Sequence, residues 1–153
     1  MKNPQVKIVN LEPMRMLSFS GFGEAPEGMA LAKLQTWAQA HDDQHGRVFG
    51  FNNPNPSAGS PNYGYEVWVN VAEDVQPEGD ARVVDFPGGM YAVLRCPVVN
   101  PGDDIPAAWQ ALVKWLDAST YTQAGHQWLE EHLDPQNAAG AEAFTLDLYL
   151  PIR

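Results

Sequence analysis

The sequence has 153 residues, of which 44% are hydrophobic and 18% charged, and its nine basic and nineteen acidic residues give a net charge of −10. This length suits one domain with a hydrophobic core, and an acidic chain without clustered lysine and arginine is unsuited to binding nucleic-acid phosphates. No apolar run reaches the length of a membrane span, and the N-terminus does not resemble a signal peptide. Cys96 is the only cysteine, which excludes an intrachain disulfide. We therefore expect a cytoplasmic protein that binds neither nucleic acid nor membranes.

The first half of the chain contains the signals of four strands and one helix. Two short strands are separated by a Glu-Pro turn at 12–13, and apolar Met29, Leu31, Leu34 and Trp37 have helical spacing. A segment dense in Asn, Pro, Gly and Ser follows the third strand and predicts a loop. The predicted bounds are 6–11, 14–19, 47–51 and 63–71 for the strands, 26–41 for the helix and 52–62 for the loop.

The second half repeats this order. Two strands are separated by a Pro-Gly-Gly turn, and a helix is predicted to begin near Ile105 with Pro106 in its first turn. Residues 127–133 are ambiguous, because their apolar residues also fit one face of a helical turn and only the repeat favours a strand. The helix stripe consists of Trp109, Leu112, Val113 and Leu116. The predicted strands are 81–86, 90–96, 127–133 and 144–152, with a loop at 134–141.

The two halves match in detail as well as in order. Each predicted helix carries an L-x-x-W motif, and each last strand carries one acid, Glu66 in the first half and Asp147 in the second. Met14 matches Met90 after the first turn of each half. Several matches in the same order indicate an internal duplication.

We therefore predict an α+β fold in which residues 1–153 form one domain from two strand-strand-helix-strand-strand copies, at about 5–72 and about 80–153. One copy alone has too few elements to bury both its sheet and its helix. Two copies can form one antiparallel sheet with both helices on one face, related by a pseudo-twofold axis. A ligand pocket is expected at the seam between them.

The predicted pocket is marked by an acid, because the repeat alignment places Glu130 opposite Phe49, so that a carboxylate replaces an interior aromatic. A buried carboxylate without a partner is costly, and an organic cation attracted by aromatic faces would supply that partner. The alternative is that the aromatics are ordinary core and that Glu130 points to solvent beside Glu131. Glu66 and Asp147 are weaker candidates that are expected to face outward. The candidate ligand-binding residues are Glu130, Trp128, His132, Tyr65, Trp68, Tyr91, Trp109 and Phe51.

Other chemistry has weaker signals. His41 and His45 flank Asp42 and Asp43, but a helix end usually carries such solvated polar residues, so we assign no metal site. The sequence contains no phosphate-binding glycine loop, no G-x-S-x-G and no Cys/His pair typical of a thiol nucleophile. We expect no cofactor and assign no catalytic residue.

The order of these motifs resembles the GyrI-like family, the effector-binding domain of AraC- and MerR-type regulators. The long Asn/Pro loop followed by YGYEVWV is particularly similar to standalone members, including a drug-binding domain from mobile gene cassettes. The resemblance covers nearly the whole chain. It rests on GGMYAV at 88–93, WQALVKWL at 109–116, LEEHL at 129–133, LYLPI at 148–152 and YGYEVWV at 63–69.

The resemblance implies the same duplicated fold and a pocket for amphipathic, often cationic, small molecules, with Glu130 as the central charge partner. Leu129 and His132 depart from the family pattern, which has an aromatic residue and a tyrosine at those positions. A histidine there would add pH dependence near neutrality. Because the domain accounts for about residues 5–153, we expect no helix-turn-helix segment.

Three functions remain open at this point, and the second and third of them are what the family resemblance implies. The first is a module that senses or sequesters cationic amphiphiles, and the acidic composition either favours such ligands or only keeps the protein soluble. The second is hydrolysis of reactive electrophiles, in which Glu130 with Tyr65 or Tyr91 would activate a water. The third is a gyrase-inhibitor-like interaction with another protein. An exposed edge strand in each copy also leaves a homodimer open.

Overall fold

The described residues form eight strands and two helices, and the order strand-strand-helix-strand-strand occurs twice. The computed structural model describes residues 4–41, 46–134 and 143–153. The helices are α1 (Pro26–Ala40) and α2 (Pro101–Ala118). The strands are β1 (Lys7–Leu11), β2 (Met14–Gly23), β3 (Val48–Asn52), β4 (Tyr63–Asn70), β5 (Arg82–Phe86), β6 (Gly89–Val98), β7 (Leu129–His132) and β8 (Phe144–Pro151).

The predicted elements are present with small changes in their bounds. The ambiguous segment 127–133 contains a strand, and most of the loop predicted after it lies outside the described residues. Helix α2 begins at Pro101, four residues before the predicted start, so Pro106 lies inside the helix. The reason is a cap that the sequence pattern did not reveal: the Asp104 carboxylate accepts hydrogen bonds from the Val99 and Asn100 amides at 2.8 and 2.9 Å.

The predicted turns at 12–13 and 87–89 suggest two hairpins, and both hairpins are wrong, because β1 does not pair with β2 and β5 does not pair with β6. The sheet order is β1-β6-β8-β7-β3-β4-β2-β5, so that β1 pairs with β6 and β2 pairs with β4 and β5. The two residues between β1 and β2 reach about 10 Å, whereas six strand spacings of a flat sheet would separate these strands by about 29 Å. The sheet must therefore curl enough to bring the end of β1 close to the start of β2, although these two strands do not pair. Each copy contributes its first strand to the other copy's half of the sheet.

Both helices pack on one face of this antiparallel sheet. Val48 of β3 lies opposite His132 of β7, which lies opposite Leu146 of β8, and directly opposed residues share a face. Val48 belongs to the core under α1 and Leu146 to the core under α2. The predicted stripe residues Met29 and Val113 are 46% and 38% exposed, whereas Ala30 of α1 and Ala108 of α2 are buried against the sheet.

The opposite face of the sheet closes on itself into a third core, to which all eight strands contribute. Its fully or nearly fully buried members are Leu11, Met16, Phe49, Phe51, Trp68, Phe86, Tyr91, Val93, Leu129 and Tyr149. Closure by curling explains why a sheet with helices on only one side exposes little apolar surface on the other. In the described part of the chain, neither helix is long and apolar enough to cross a membrane.

The repeat alignment is out of register by one residue in its first strands. Leu11 pairs with Gly89 and Met14 with Phe86, so the symmetric counterpart of Met14 is Gly89. Met90 points the other way: it packs against the core under α2, whereas Met14 packs against the core on the opposite face. A shift of one residue reverses the face of every side chain in a strand.

Candidate functional site

A cavity lies at the seam where strands β3 and β7 of the two copies meet. The strands pair over only three residues each, and the last pair is Gly50 with Glu130. Beyond this pair Phe51 and Leu129 remain bonded to their other neighbours, β4 and β8, so the two strands separate. The cavity between them has a volume of about 390 Å³. It is lined by Gly50, Phe51, Asn52, Asn55, Trp109, Gln127, Trp128, Leu129 and Glu130.

The predicted equivalence of Glu130 and Phe49 is wrong by one residue. Phe49 lies in the core on the far face of the sheet, whereas Glu130 lies on the helix face. Phe49 pairs with Trp68 on β4, and the matching pair of the second copy contains Leu129, so Gly50 is the counterpart of Glu130. Since Gly50 and Glu130 also pair with each other, the pseudo-twofold axis passes between them. The strands pair on one side of this axis and separate on the other.

Gly50 makes room for the polar centre of the site. A Cβ at this position would overlap the hydroxyl of Tyr65, which lies directly over the glycine. The Tyr65 hydroxyl donates a hydrogen bond to Glu130 Oε1 at 2.8 Å, and the indole N–H of Trp109 donates to Oε2 at 3.3 Å. Strand β4 and helix α2 thus each supply one neutral donor to the carboxylate from opposite copies.

Burial dominates the electrostatics of Glu130. Desolvation raises the pKa of its carboxyl above the ordinary glutamate value, and the hydrogen bonds from Tyr65 and Trp109 lower it only in part. Glu27 of α1 adds like charge in the same direction and itself accepts a hydrogen bond from Tyr63 at 2.6 Å. No ion pair to Glu130 is formed by any lysine, arginine or histidine that the structure describes.

Three other acids of the sheet are buried with a cation each, on the face away from the helices. Glu131 accepts two hydrogen bonds from Arg47, both at 2.9 Å, and Asp147 accepts two from Arg95 at 2.9 and 3.1 Å. Glu66 is 2.9 Å from Arg82 and accepts further hydrogen bonds from Ser18, Trp68 and Asn53. The prediction that Glu66 and Asp147 face outward is therefore wrong, because both are buried and neutralised.

Four of the predicted residues contact the Glu130 carboxylate or line its cavity, and His132 is connected to it only through Tyr65. Trp109 and Trp128 form part of the wall, with ring centroids 5.3 Å apart, and Phe51 lies at its edge with its ring against Trp68. Tyr65 contacts Glu130 through its hydroxyl, and the same hydroxyl is 2.8 Å from His132 Nε2.

The remaining two candidates do not reach the cavity. Trp68 points to the far face of the sheet and donates its indole N–H to Glu66 at 2.7 Å. Tyr91 is also in the far core, and its hydroxyl donates to the backbone carbonyl of Gln127, a lining residue. Tyr91 therefore supports the wall from behind and does not pair with Glu130 in the way a water-activating tyrosine would.

The histidine at the site does not titrate near neutrality, contrary to the expectation from sequence. Burial lowers the pKa of His132 to about 4, although the nearby Glu131 charge opposes the shift. His132 is therefore neutral at pH 7 and only becomes charged in the acid range.

Sequence patterns missed several site residues. Gln127, Asn52 and Asn55 line the cavity, and the two asparagines lay in a segment whose composition indicated only turns. Gly50 had a readable signal, because a glycine inside a buried strand often marks close approach of another group. Of the histidine-aspartate segment, Asp42, Asp43 and His45 lie outside the described residues. The described residues contain no group of three or more His, Cys, Asp or Glu side chains placed to hold a metal ion.

Comparison with known protein families gives a match that covers nearly the whole chain. A model of the GyrI-like small molecule binding domain matches residues 4–153. No curated protein sequence matches the chain.

Several solved structures share the fold at low sequence identity. EcmrR in a complex with DNA matches 100% of this chain with a TM-score of 0.72 and 12% identity, and the match spans 59% of that EcmrR chain. The isolated EcmrR C-terminal domain has a TM-score of 0.67 and 15% identity, covering 99% of this chain and 98% of the domain. An integron cassette protein of Vibrio cholerae has a TM-score of 0.57 and 11% identity over 97% and 95% of the two chains. SAV2435 with bound tetraphenylphosphonium has a TM-score of 0.58 and 10% identity over 97% and 94%.

Proposed function

The chain belongs to the GyrI-like family of small-molecule binding domains, and from this premise we propose that it binds amphipathic organic cations in the cavity beside Glu130. In this proposal Glu130 is the counter-ion, Trp109 and Trp128 are the aromatic walls, and Tyr65 holds the carboxylate in the absence of ligand. The protein would act as a sensor or as a module that sequesters its ligand.

The observation that carries this proposal is the missing cation at Glu130. Glu66, Glu131 and Asp147 are each paired with an arginine, and Glu130 has only neutral donors among the described residues. An enclosed carboxylate held by neutral donors leaves part of its desolvation cost uncompensated. A ligand with a positive charge supplies that compensation. The site should therefore prefer a cation to a neutral molecule of the same shape.

The walls and the charge of the protein support the same ligand class. Indole faces attract organic cations by about 0.5–2 kcal/mol each, and the tilted Trp109 and Trp128 rings both line the cavity. The net charge of −10 favours approach of cations over long range. Tetraphenylphosphonium, which SAV2435 binds, is an aromatic cation of this kind.

The test is a tryptophan-fluorescence titration with tetraphenylphosphonium, checked by calorimetry. We expect saturable one-site binding, and Glu130→Gln should weaken it about tenfold or more, which corresponds to about 1.4 kcal/mol. Glu24→Gln removes the same charge from an exposed position and should leave the affinity within about twofold. Neutral triphenylphosphine oxide should bind wild-type and Glu130→Gln proteins equally weakly.

Equal binding of tetraphenylphosphonium by wild-type and Glu130→Gln proteins would contradict the proposal. The same outcome follows if the neutral phosphine oxide competes as well as the cation does. Turnover of an electrophile that depends on Glu130 would instead favour a hydrolase, and a stoichiometric protein partner bound without ligand would favour an interaction module.

A further inference from the structure

A single hydroxyl connects two ionisable groups beneath the cavity. Tyr65 Oη lies 2.8 Å from Glu130 Oε1 and 2.8 Å from His132 Nε2. Tyr65 and His132 are buried. Because a hydroxyl carries one proton, Tyr65 can donate to only one of these two neighbours at a time.

The tautomer of His132 decides which neighbour receives the Tyr65 proton. If His132 carries its proton on Nε2, the ring donates to Tyr65 Oη and the hydroxyl must donate to Glu130. If His132 carries its proton on Nδ1, Tyr65 donates to Nε2 and Glu130 loses its better donor. The Nδ1 atom is buried and has no hydrogen-bond partner among the residues that the structure describes. A proton there would be an orphaned buried donor, whereas a bare lone pair is tolerated more easily, so the Nε2-protonated form is favoured.

We propose that neutral His132 is a positioning residue, which donates through Nε2–H to Tyr65 and thereby directs the Tyr65 proton to Glu130. The chain of hydrogen bonds runs from His132 through Tyr65 to the carboxylate that receives the cation. It favours the ionised form of Glu130 against the opposing effect of burial, and this is the form that a positively charged ligand requires. The inference rests on the proposed function for the use of this charge, but the hydrogen-bond direction itself is a property of the protein without ligand.

Other groups near this chain of hydrogen bonds shift the pKa values of its members. Glu27 raises the pKa of Glu130 by like charge, and Glu131 opposes the burial effect on His132. Tyr65 itself is held in its neutral form, since burial and the Glu130 charge raise its pKa well above the ordinary value. The titratable or polar groups around the chain are Tyr63 of β4, Glu27 of α1, Trp109 of α2, Cys96 of β6 and Glu131 of β7.

The first experiment determines the tautomer of His132 directly. Nitrogen-15 NMR of the unliganded wild-type protein at pH 7 separates protonated and bare imidazole nitrogens, and His132→Gln assigns the signals by their loss. We expect a neutral ring with the proton on Nε2. A proton on Nδ1, or a doubly protonated ring, would overturn the proposal.

The second experiment measures the Glu130 carboxyl titration by carbon-13 NMR in unliganded single and double variants. Tyr65→Phe removes the donor and should raise the midpoint by about 1 pH unit. His132→Leu should raise it by roughly 0.3 pH units, because a hydroxyl that accepts a hydrogen bond is a stronger donor. If His132 acts through Tyr65, His132→Leu should cause no further shift in the Tyr65→Phe protein.

Controls separate this role from a loss of packing. His132→Gln retains a side-chain N–H close to the position of Nε2 and should restore most of the wild-type midpoint. His41→Leu removes a partly exposed histidine of the α1 end that pairs with Glu78, and should not move the midpoint. Equal shifts from His132→Leu with and without Tyr65 would show a general effect of packing and would refute the inference.

The two proposals fail in different experiments. If tetraphenylphosphonium binding is independent of Glu130, the proposed function is wrong while the tautomer and titration results still stand. If binding depends on Glu130 but the tautomer is Nδ1-protonated, only the role of His132 is wrong.

Discussion

Glu130 and Glu131 are neighbours in sequence, yet the sheet gives them opposite environments. Glu131 points to the face away from the helices, where two hydrogen bonds from Arg47 and one from Tyr149 at 2.7 Å satisfy it. Glu130 points to the helix face, where Tyr65 and Trp109 are its hydrogen-bond donors. A buried acid with a bidentate arginine is a structural element. A buried acid without a cation lacks that compensation and is the better candidate for meeting a ligand.

The same contrast extends to the two copies. The pseudo-twofold axis places Gly50 and Glu130 in equivalent positions, and one has no side chain whereas the other has a carboxylate. Tyr65 occupies the space above the glycine. The duplication therefore builds the sheet, and the difference between equivalent residues on the axis builds the site.

The largest change in stability should come from the paired acid. Glu131→Leu removes the carboxylate that accepts two hydrogen bonds from Arg47 and one from Tyr149, and should lower the free energy of unfolding by about 2–3 kcal/mol. The estimate lies below the range for fully buried pairs, because the Arg47 side chain is 44% exposed. Urea unfolding measures this change. Tetraphenylphosphonium affinity should stay within about threefold, and a tenfold loss would contradict the separation of the two faces.

A methyl group at Gly50 should harm both the fold and the site. Gly50→Ala forces the Tyr65 ring away from the strand, and the resulting overpacking should lower the free energy of unfolding by about 2 kcal/mol. It should also weaken cation binding several-fold through displacement of Tyr65 from Glu130. Gly28→Ala is the matched control, since a Cβ there meets nothing within 4 Å. A Gly50→Ala protein with wild-type stability would show that Tyr65 does not need this space.

Removal of the unpaired charge should stabilise the protein. Burial raises the pKa of Glu130 in the folded state, so its contribution to stability is complete below the unfolded pKa and is lost as the pH rises through the folded pKa. Glu130→Gln should therefore raise the free energy of unfolding at pH 7 by about 1 kcal/mol while it weakens cation binding. The gain should disappear near pH 3, where wild-type Glu130 is protonated. A loss of stability at pH 7 would mean that Glu130 is structural like Glu131.

The smallest expected effect is the pH dependence from His132. Burial lowers the pKa of this histidine from 6.5 to about 4 in the folded state. Its contribution to the free energy of unfolding is therefore complete above pH 6.5. It decreases as the unfolded state becomes protonated and is fully lost once the pH has fallen through about 4. Between pH 7 and pH 6 this histidine should account for a loss of roughly 0.7 kcal/mol in the free energy of unfolding. Thermal or urea unfolding of wild-type and His132→Gln proteins across this range measures the difference. Parallel pH profiles of the two proteins would contradict the lowered pKa.

The sequence predicted element types well because their signals are local. Alternation of apolar residues identified the strands, and helical spacing identified α1 and α2. The start of α2 was missed since a side-chain cap at Asp104 extends the helix past the pattern. The β1–β2 hairpin was wrong because a two-residue connection is compatible with two arrangements. It can join two paired strands, or it can lead the chain from a strand in one half of a curled sheet to a strand in the other half.

The candidate site also contains residues that the sequence predicted correctly and residues that it did not. Glu130, Trp109, Trp128, Tyr65 and His132 were identified from sequence, and the structure brings them together. Trp68 and Tyr91 have the same residue chemistry but point to the far face. Aromatic composition alone cannot distinguish these two groups, because a strand residue and its neighbour differ only in the side of the sheet they face.

The sequence by itself determined the duplicated α+β order, the two helices and the presence of an acid near the end of the second copy. Tertiary structure alone decided that Glu130 is equivalent to Gly50 and not to Phe49, that the first strands are exchanged between halves, and that three other acids are neutralised. The physical reason is that local periodicity specifies which residues alternate, whereas strand register specifies which face each one occupies. A slip of one residue in that register separates a paired structural acid from the unpaired acid at the seam.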